Sequence, residues 1–221
     1  MSPVVRLFQR EIALAWGKGG GPLLALGFYA GVVTLLPLAA GPDPNHLAVV
    51  AGGVAWVGLA LASLLTLDRL FERDFEDGAL DLLTLGPLSL EVVSALKCLA
   101  QWLVTGAPLA LATPLAAIGL GAPPRDGPLL VLVAALGGLA FAFVGGMGAA
   151  LALASRRGGV LIAVIVLPLL APPVIFGGAA IHAFENGLGW TTGLALLAAY
   201  ALAVTALSPF AMAGACRNAL S

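Results

Sequence analysis

Six apolar stretches of about twenty residues each make up most of this chain, and a helix of that length crosses the roughly 30 Å hydrocarbon core of a bilayer. Apolar residues form 61% of the 221 residues and charged residues only 10%, whereas soluble domains are about 45–50% apolar and about 25% charged. We therefore expect an all-α integral membrane protein with one transmembrane domain over residues 1–221. Its six transmembrane helices are predicted near residues 22–40, 47–67, 97–120, 128–154, 159–182 and 190–213.

The basic residues predict the orientation, because Lys and Arg are enriched in cytoplasmic loops. Of the ten basic residues, all except Arg125 fall on one side of the predicted membrane. Both termini and residues 68–87 are therefore expected in the cytoplasm, with the short loops 41–46, 121–127 and 183–189 outside. The first apolar stretch is longer than the roughly 7–15 residues of a cleavable signal, so we expect it to remain in the protein.

Residues 2–17 predict a helix that lies in the membrane interface. Ser2 is placed to cap it and Pro3 suits its first turn. Apolar residues (Val5, Phe8, Ile12 and Trp16) follow one face, opposite Arg6, Gln9 and Arg10. That amphipathic pattern is typical of interfacial helices. A disordered basic tail is the alternative, and the two aromatic residues argue against it.

Residues 68–87 form a strongly acidic stretch, with six of the eleven carboxylates and two of the ten basic residues. Apolar residues recur there at three- and four-residue steps, which predicts an amphipathic helix; they are Leu67, Leu70, Phe71, Phe75, Ala79, Leu82 and Leu83. Gly78 is expected to divide it into two short helices, with Asp77 capping the second and Gly86-Pro87 ending it.

A cytoplasmic amphipathic hairpin after the second span, with an interfacial helix before the first, is the layout of ABC exporter membrane subunits, whose coupling helix docks on the ATPase. The alternative is a solvated loop lying on the membrane, but anionic lipid would repel so acidic a loop. We therefore predict Phe71, Phe75 and Leu82 as contacts buried against the ATPase. The full set of predicted coupling residues is Asp68, Arg69, Phe71, Glu72, Arg73, Asp74, Phe75, Asp77, Gly78 and Leu82.

Residues for transport chemistry or nucleotide binding do not stand out. Ion-coupled carriers normally place an ionisable group inside a span, whereas Lys97 and Gln101 lie close enough to the cytoplasmic end to snorkel toward water. Residues 17–19 do not fit the phosphate-binding Gly-x-x-x-x-Gly-Lys-Ser/Thr pattern, so ATP would have to be bound by another chain. Nothing in the sequence supports nucleic-acid binding.

Metal and cofactor sites are not expected in this chain. His46 and His182, with Glu185, fall at the outer ends of the spans, where solvated side chains are favoured over ligands to a metal or haem iron. Cys98 and Cys216 lie far apart in sequence, and we interpret them as small apolar fillers rather than a disulfide or metal site.

Small residues repeat every fourth position in the fourth predicted span, at Gly138, Ala142, Gly146, Ala150 and Ala154. Such a ridge lets a neighbouring helix approach closely. The alternative is a composition rich in Ala and Gly without a packing role.

The run Asp68-Arg-Leu-Phe-x-x-Asp74-x-x-Asp77-Gly78-x-Leu80 resembles the CcmB family, the membrane permease components of the cytochrome c maturation (haem exporter) ABC complex. The similarity continues through Pro87-Leu-x-Leu90, Lys97, Trp102 and Thr105-Gly-x-Pro108-Leu. It also covers Thr34-Leu-x-Pro37-Leu with Gly41-Pro42, Arg157-Gly-Gly-Val160-Leu161 with Val166-Leu-Pro168-Leu, and Leu207-Ser-Pro209-Phe-Ala211, so it extends over nearly the whole chain.

The resemblance implies a six-span ABC-2-type permease of a bacterial inner membrane, itself non-catalytic. Its partners would be a cytoplasmic ATPase (CcmA), the membrane proteins CcmC and CcmD, and the periplasmic haem chaperone CcmE. ATP hydrolysis in such complexes drives haem delivery to the chaperone, or release of the loaded chaperone, and haem handling is attributed chiefly to CcmC. The alternatives are an ABC-2 permease that exports another lipid, drug or glycan, and an ATP-independent channel or scaffold.

Overall fold

A computed structural model gives the structure of the protein and describes residues 2–17, 21–41, 43–66, 70–154 and 158–220. The described chain is helical and contains no strand, so the predicted all-α class is confirmed. The helices are α1 (Pro3–Trp16), α2 (Gly21–Ala40), α3 (Pro44–Leu64), α4 (Glu72–Glu76), α5 (Ala79–Thr84), α6 (Leu90–Gln101), α7 (Ala107–Gly119), α8 (Gly127–Ala154), α9 (Gly158–Glu185) and α10 (Thr191–Leu220). A π-helix (Trp102–Gly106) joins α6 to α7, and a 3-10 turn (Pro124–Asp126) precedes α8.

Five helical segments of the described chain are long and apolar enough to cross a membrane, and the number reaches six if α1 and α2, bent by 52°, count as one span. The five lie in α3, in α6 with α7, in α8, in α9 and in α10. Together with α2, they overlap all six ranges predicted from the sequence. The chain is therefore a multi-pass integral membrane protein.

The α8 helix packs against α3, α6, α7, α9 and α10, and small residues allow these neighbours to approach. A Cβ atom at Gly146 would lie only 2.5 Å from the sulfur of Cys98 and 3.2 Å from that of Met212. The predicted ridge therefore brings α6 and α10 close to α8 at this position. Both Cys98 and Cys216 are buried and free, with Cys98 Sγ 3.7 Å from Met212 Sδ.

Two aromatic side chains of the apolar core satisfy backbone carbonyls between helices. The Trp56 indole nitrogen donates to the Val174 carbonyl at 3.0 Å, while its ring occupies a notch beside Gly137 and Gly177. Pro173 has no N–H to donate to the Leu169 carbonyl one turn earlier. The Tyr200 hydroxyl of α10 donates to that carbonyl instead. These bonds fix α3 and α10 against α9, the helix that contains Pro168, Pro172 and Pro173.

Candidate functional site

The coupling segment, defined here as residues 70–87, folds into two short helices as the sequence predicted. Gly78 separates α4 from α5 with φ +68°, a left-handed conformation that disfavours residues with a Cβ. The predicted capping role of Asp77 is wrong, because Gly78 occupies the N-cap position of α5 and no side chain caps it. Asp77 instead ends α4, where its backbone N–H donates to the Arg73 carbonyl at 3.0 Å.

Four charged side chains from three helices meet beneath this segment. Lys97 of α6 forms ion pairs with Asp74 of α4 and, at 2.9 Å, with Glu11 of α1. The Arg10 guanidinium bridges the same two carboxylates, at 2.7 Å to Asp74 and 2.6 Å to Glu11. We call Arg10, Glu11, Asp74 and Lys97 the charge cluster. It contains two cations and two anions, so each buried charge has a partner of opposite sign.

The predicted snorkelling of Lys97 toward water is wrong. Its side chain is only 2% exposed, and its ammonium lies 3.3 Å from the Leu70 carbonyl and 5.7 Å from the centre of the Phe71 ring. The ammonium is thus surrounded by two carboxylates, one backbone carbonyl and the face of an aromatic ring. These contacts inside the protein replace the water that it would reach by snorkelling. Lys97 therefore anchors the coupling segment to α6.

Asp74 stays ionised within the cluster. Its side chain is 4% exposed, and burial by itself would raise the pKa of its carboxyl group. The hydrogen bond from Arg10 and the positive charge of Lys97 outweigh burial, and the net result is a lowered pKa. The charge that ties α4 to α1 and α6 is consequently present at neutral pH.

The predicted common orientation of Phe71 and Phe75 is also wrong. Phe71 is fully buried, in a cluster with Cys98, Phe143 and Met212, whereas Phe75 is 39% exposed. Phe71 therefore cannot be a contact with another chain unless the segment rearranges. Its position strengthens the attachment of the coupling segment to the membrane helices.

The outer surface of the coupling segment carries exposed apolar side chains. Leu82 and Leu85 are 72% and 84% exposed, respectively. Leu80, by contrast, is fully buried and holds α5 to the protein. We call Phe75, Leu82 and Leu85 the apolar patch. Exposed apolar groups next to charged ones are typical of protein interaction surfaces.

The remaining predicted coupling residues are exposed charged residues or lie outside the described chain. Glu72, Arg73 and Asp77 are exposed, and Arg73 lies 3.9 Å from Asp77 in an exposed ion pair. Asp68 and Arg69 fall outside the described residues.

The sequence interpretation missed the roles of Arg10, Glu11 and Lys97. Glu11 carried a local signal, since it lies one helical turn from both Leu7 and Leu14 and interrupts their apolar stripe with a carboxylate. Lys97 carried a second, as the single charge of the predicted span 97–120, at its first position. Neither signal identifies the partner, because Glu11 and Lys97 are 86 residues apart.

The two histidines lie apart from the charge cluster. His46 is 3.6 Å from Asp43 and 83% exposed, and the His182 carbonyl accepts a hydrogen bond from the Asn186 side chain at 2.8 Å. Across the part of the chain that the structure describes, no group of three or more His, Cys, Asp or Glu side chains is arranged to hold a metal.

Comparison with known proteins gives one consistent result. The family model described as CcmB protein matches residues 2–219. "Heme exporter protein B" of Paracoccus denitrificans (strain Pd 1222) is 47% identical over 96% of this chain and 97% of its own length. The proteins of the same name from Rhodobacter capsulatus and Escherichia coli (strain K12) are 44% and 41% identical, again over 96% of this chain. They cover 97% and 96% of their own lengths, respectively.

Proposed function

The chain belongs to the CcmB protein family, and from this membership and the geometry of the coupling segment we propose that it is the permease subunit of an ABC transporter complex for cytochrome c maturation. A separate ATPase subunit hydrolyses ATP, and this chain couples that hydrolysis to delivery of haem to a periplasmic haem chaperone, or to release of the loaded chaperone. The relatives named as haem exporters support the substrate. The observation that supports the coupling role is that the coupling segment is attached to the membrane helices by some of its side chains and exposes others.

The apolar patch is the surface on which the ATPase docks. Phe75, Leu82 and Leu85 supply exposed apolar area, which is the part of an interface that contributes most to affinity. Glu72, Arg73 and Asp77 form its charged rim. Rim charges act mainly on the rate and specificity of association.

The charge cluster transmits motion of the docked segment to the membrane helices. Separation of Asp74 from Lys97 would break an ion pair between two buried side chains and leave Asp74 with Arg10 alone and Lys97 with Glu11 alone, which is unfavourable in a low-dielectric interior. A displacement of α4 by the ATPase therefore moves α6 and α1 as well. α6 leads directly through the π-helix into α7, so the motion enters the bundle along a continuous helical path. The ATPase thereby biases the bundle between two arrangements.

The proposed complex has this chain as a non-catalytic subunit of a bacterial inner membrane, with both termini in the cytoplasm. CcmA binds and hydrolyses ATP, CcmC and CcmD are membrane partners, and CcmE is the haem chaperone. Haem is cargo of the complex, and no resident cofactor is assigned to this chain.

The test is co-purification with the ATPase from detergent-solubilised membranes. Phe75→Glu and Leu82→Glu each place a charge in the apolar patch, and we expect both to abolish ATPase pull-down while membrane insertion remains normal. Leu188→Glu is the matched control, since Leu188 is 61% exposed in the loop after α9, far from the coupling segment in sequence. Retained ATPase binding in both patch variants would contradict the docking surface.

The substrate is tested separately, by measuring the ATPase rate of the complete complex with and without the haem chaperone. We expect the chaperone to stimulate hydrolysis, and the Phe75→Glu variant to lose that stimulation. An intact complex whose rate is indifferent to the chaperone would contradict the role in cytochrome c maturation and favour export of another lipid, drug or glycan.

A further inference from the structure

A cavity of about 870 Å³ lies beside the charge cluster, between α1, the start of α2, the end of α3, the coupling segment and α6. Its volume is within the range of ligand-binding pockets, roughly 300–1,000 Å³. Half of its wall is apolar and includes Leu14, Leu24 and Leu65. The axes of α1 and α2, which both contribute to the wall, differ in direction by 52°. The occupant is expected to be an amphiphile, because the wall has both a polar and an apolar part.

The polar part of the wall favours a cationic group. Four carboxylates line the cavity (Glu11, Glu72, Asp74 and Glu76) against two cations (Arg73 and Lys97). Both cations are already paired, Lys97 within the charge cluster and Arg73 with Asp77. Glu72 and Glu76 are exposed and pair with no cation among the described residues. An anionic headgroup would meet excess negative charge there, whereas an ammonium group would be attracted.

Gln101 adds an uncharged acceptor at the inner end of the cavity. Its side-chain nitrogen donates to Thr66 at 2.8 Å and to Thr105 at 3.2 Å, which uses both of its N–H groups. The carbonyl oxygen of the same side chain accepts from no described residue and is available to a donor in the cavity.

The polar lining continues deeper into the bundle. A second cavity of about 10 Å³ shares Thr66 and Gln101 with the first and is also lined by Ser63. The Ser63 hydroxyl is buried and has no hydrogen-bond partner in the described chain. The second cavity has space for about one water molecule, which would satisfy this hydroxyl and support the amide of Gln101.

We propose that this cavity binds the headgroup of phosphatidylethanolamine from the adjoining leaflet. Its ammonium group donates to the Gln101 carbonyl oxygen and faces Glu72 and Glu76, while its acyl chains follow the apolar wall toward the bilayer. Phosphatidylcholine lacks N–H donors, and phosphatidylglycerol is an anion, so the chemistry of the wall discriminates against both. A soluble amine would leave the apolar half of the wall empty.

The full-length protein is reconstituted in nanodiscs that contain equal amounts of the three lipids. After release from the nanodiscs, the lipids that it retains are identified by native mass spectrometry. We expect phosphatidylethanolamine to be retained over the other two by about tenfold, the effect of one hydrogen bond to a charged donor. Gln101→Leu should remove the preference over phosphatidylcholine, whereas phosphatidylglycerol should stay disfavoured because the carboxylates of the wall remain. Gln9→Leu is the matched control, since Gln9 is exposed on α1 and does not line the cavity.

Several outcomes would overturn the proposal. Equal retention of phosphatidylcholine would mean that ammonium N–H groups are not recognised, and preference for phosphatidylglycerol would mean that the wall attracts anions. An unchanged preference over phosphatidylcholine in Gln101→Leu, with a melting temperature equal to wild type, would exclude this cavity as the site. Displacement of the lipid by millimolar glycerophosphoethanolamine would assign the cavity to soluble amines. None of these readouts requires the ATPase, so they are independent of the proposed coupling role.

Discussion

The two short helices of the coupling segment differ in what they contact. The α4 side is held from within, because Asp74 belongs to the charge cluster and the preceding Phe71 is fully buried. The α5 side is held by Leu80, while Leu82 and Leu85 of the same stretch remain exposed. Phe71, Asp74 and Leu80 thus attach the segment to the membrane helices and form its held half, whereas Phe75, Leu82 and Leu85 are exposed and form its open half.

This difference is what a mechanical coupling element requires. A segment exposed on all sides would bind a partner without moving the membrane helices, and a segment buried on all sides would have no surface for a partner. The charges and the apolar side chains also have different roles. The buried charges connect the segment to two other helices, and the exposed apolar side chains are available to bind the ATPase. Substitutions in the held half should therefore lower stability more than ATPase binding. Substitutions in the open half should lower ATPase binding more than stability.

The largest loss of stability is expected from Lys97→Met. This change removes the ammonium and leaves Glu11 and Asp74 buried with only Arg10 as a counter-charge, which should cost about 3–5 kcal/mol. The matched control is Arg217→Met, which removes an exposed ion pair of 2.7 Å to Glu91 and should cost at most about 1 kcal/mol. Thermal unfolding of the purified protein in detergent measures both.

A double variant separates charge from packing in this cluster. Adding Asp74→Asn to Lys97→Met removes one of the two carboxylates that are left to share Arg10, so part of the lost melting temperature should return. Equal melting temperatures of the Lys97→Met and Arg217→Met variants would show that the cluster contributes nothing beyond a surface ion pair.

The second prediction compares the two phenylalanines directly. Phe71→Ala empties a fully buried site and should destabilise the protein by about 3 kcal/mol, while Phe75→Ala changes a partly exposed side chain and should cost less than about 1 kcal/mol. ATPase pull-down should show the reverse order, with the larger loss for Phe75→Ala. Equal destabilisation by the two changes would contradict the division of the segment into a held half and an open half.

The sequence predicted the helices and the break at Gly78, because long apolar stretches and a glycine between short helical patterns are local signals. It did not predict that Phe71 and Phe75 differ. Helical periodicity places residues four apart on one face. However, α4 has only five residues, and the two ends of that face are next to different parts of the protein. Phe71 lies under Lys97, and Phe75 lies one turn farther along the helix.

The charge cluster could not be predicted from local sequence patterns, for a related reason. Proximity of a lysine to the end of a span predicts snorkelling only when no acceptor is nearer than water. Glu11 and Asp74 reach Lys97 from two other helices, and their positions depend on how α1 and α4 pack, which no spacing in the sequence specifies. Of the candidate site, the segment and its exposed Leu82 were therefore accessible from sequence, and its attachment to the membrane helices was not.

The third prediction concerns Gly78, the glycine between α4 and α5. Gly78→Ala puts a Cβ on a residue with φ +68° and open space around it, so the expected cost of about 1–2 kcal/mol comes from the backbone alone. Gly187→Ala is a matched control with the same φ of +68° and the same open surroundings, in the loop between α9 and α10. Both variants should lose a similar amount of stability, whereas only Gly78→Ala should lower chaperone-stimulated ATP hydrolysis, because it changes the angle between α4 and α5.

The smallest effect on stability is expected at the rim of the open half. Arg73→Ala removes an exposed ion pair with an N–O distance of 3.9 Å to Asp77, so the melting temperature should change by an amount equivalent to at most about 0.5 kcal/mol. Its effect should instead appear in ATPase association, because rim charges act on the association rate and its dependence on salt. Surface plasmon resonance with the ATPase at 50 mM and 300 mM salt measures this, and we expect wild type and variant to differ at low salt and to converge at high salt, where the Debye length falls well below 10 Å. A difference that persists unchanged at high salt would place Arg73 within the buried contact, and the open half would then be broader than the apolar patch.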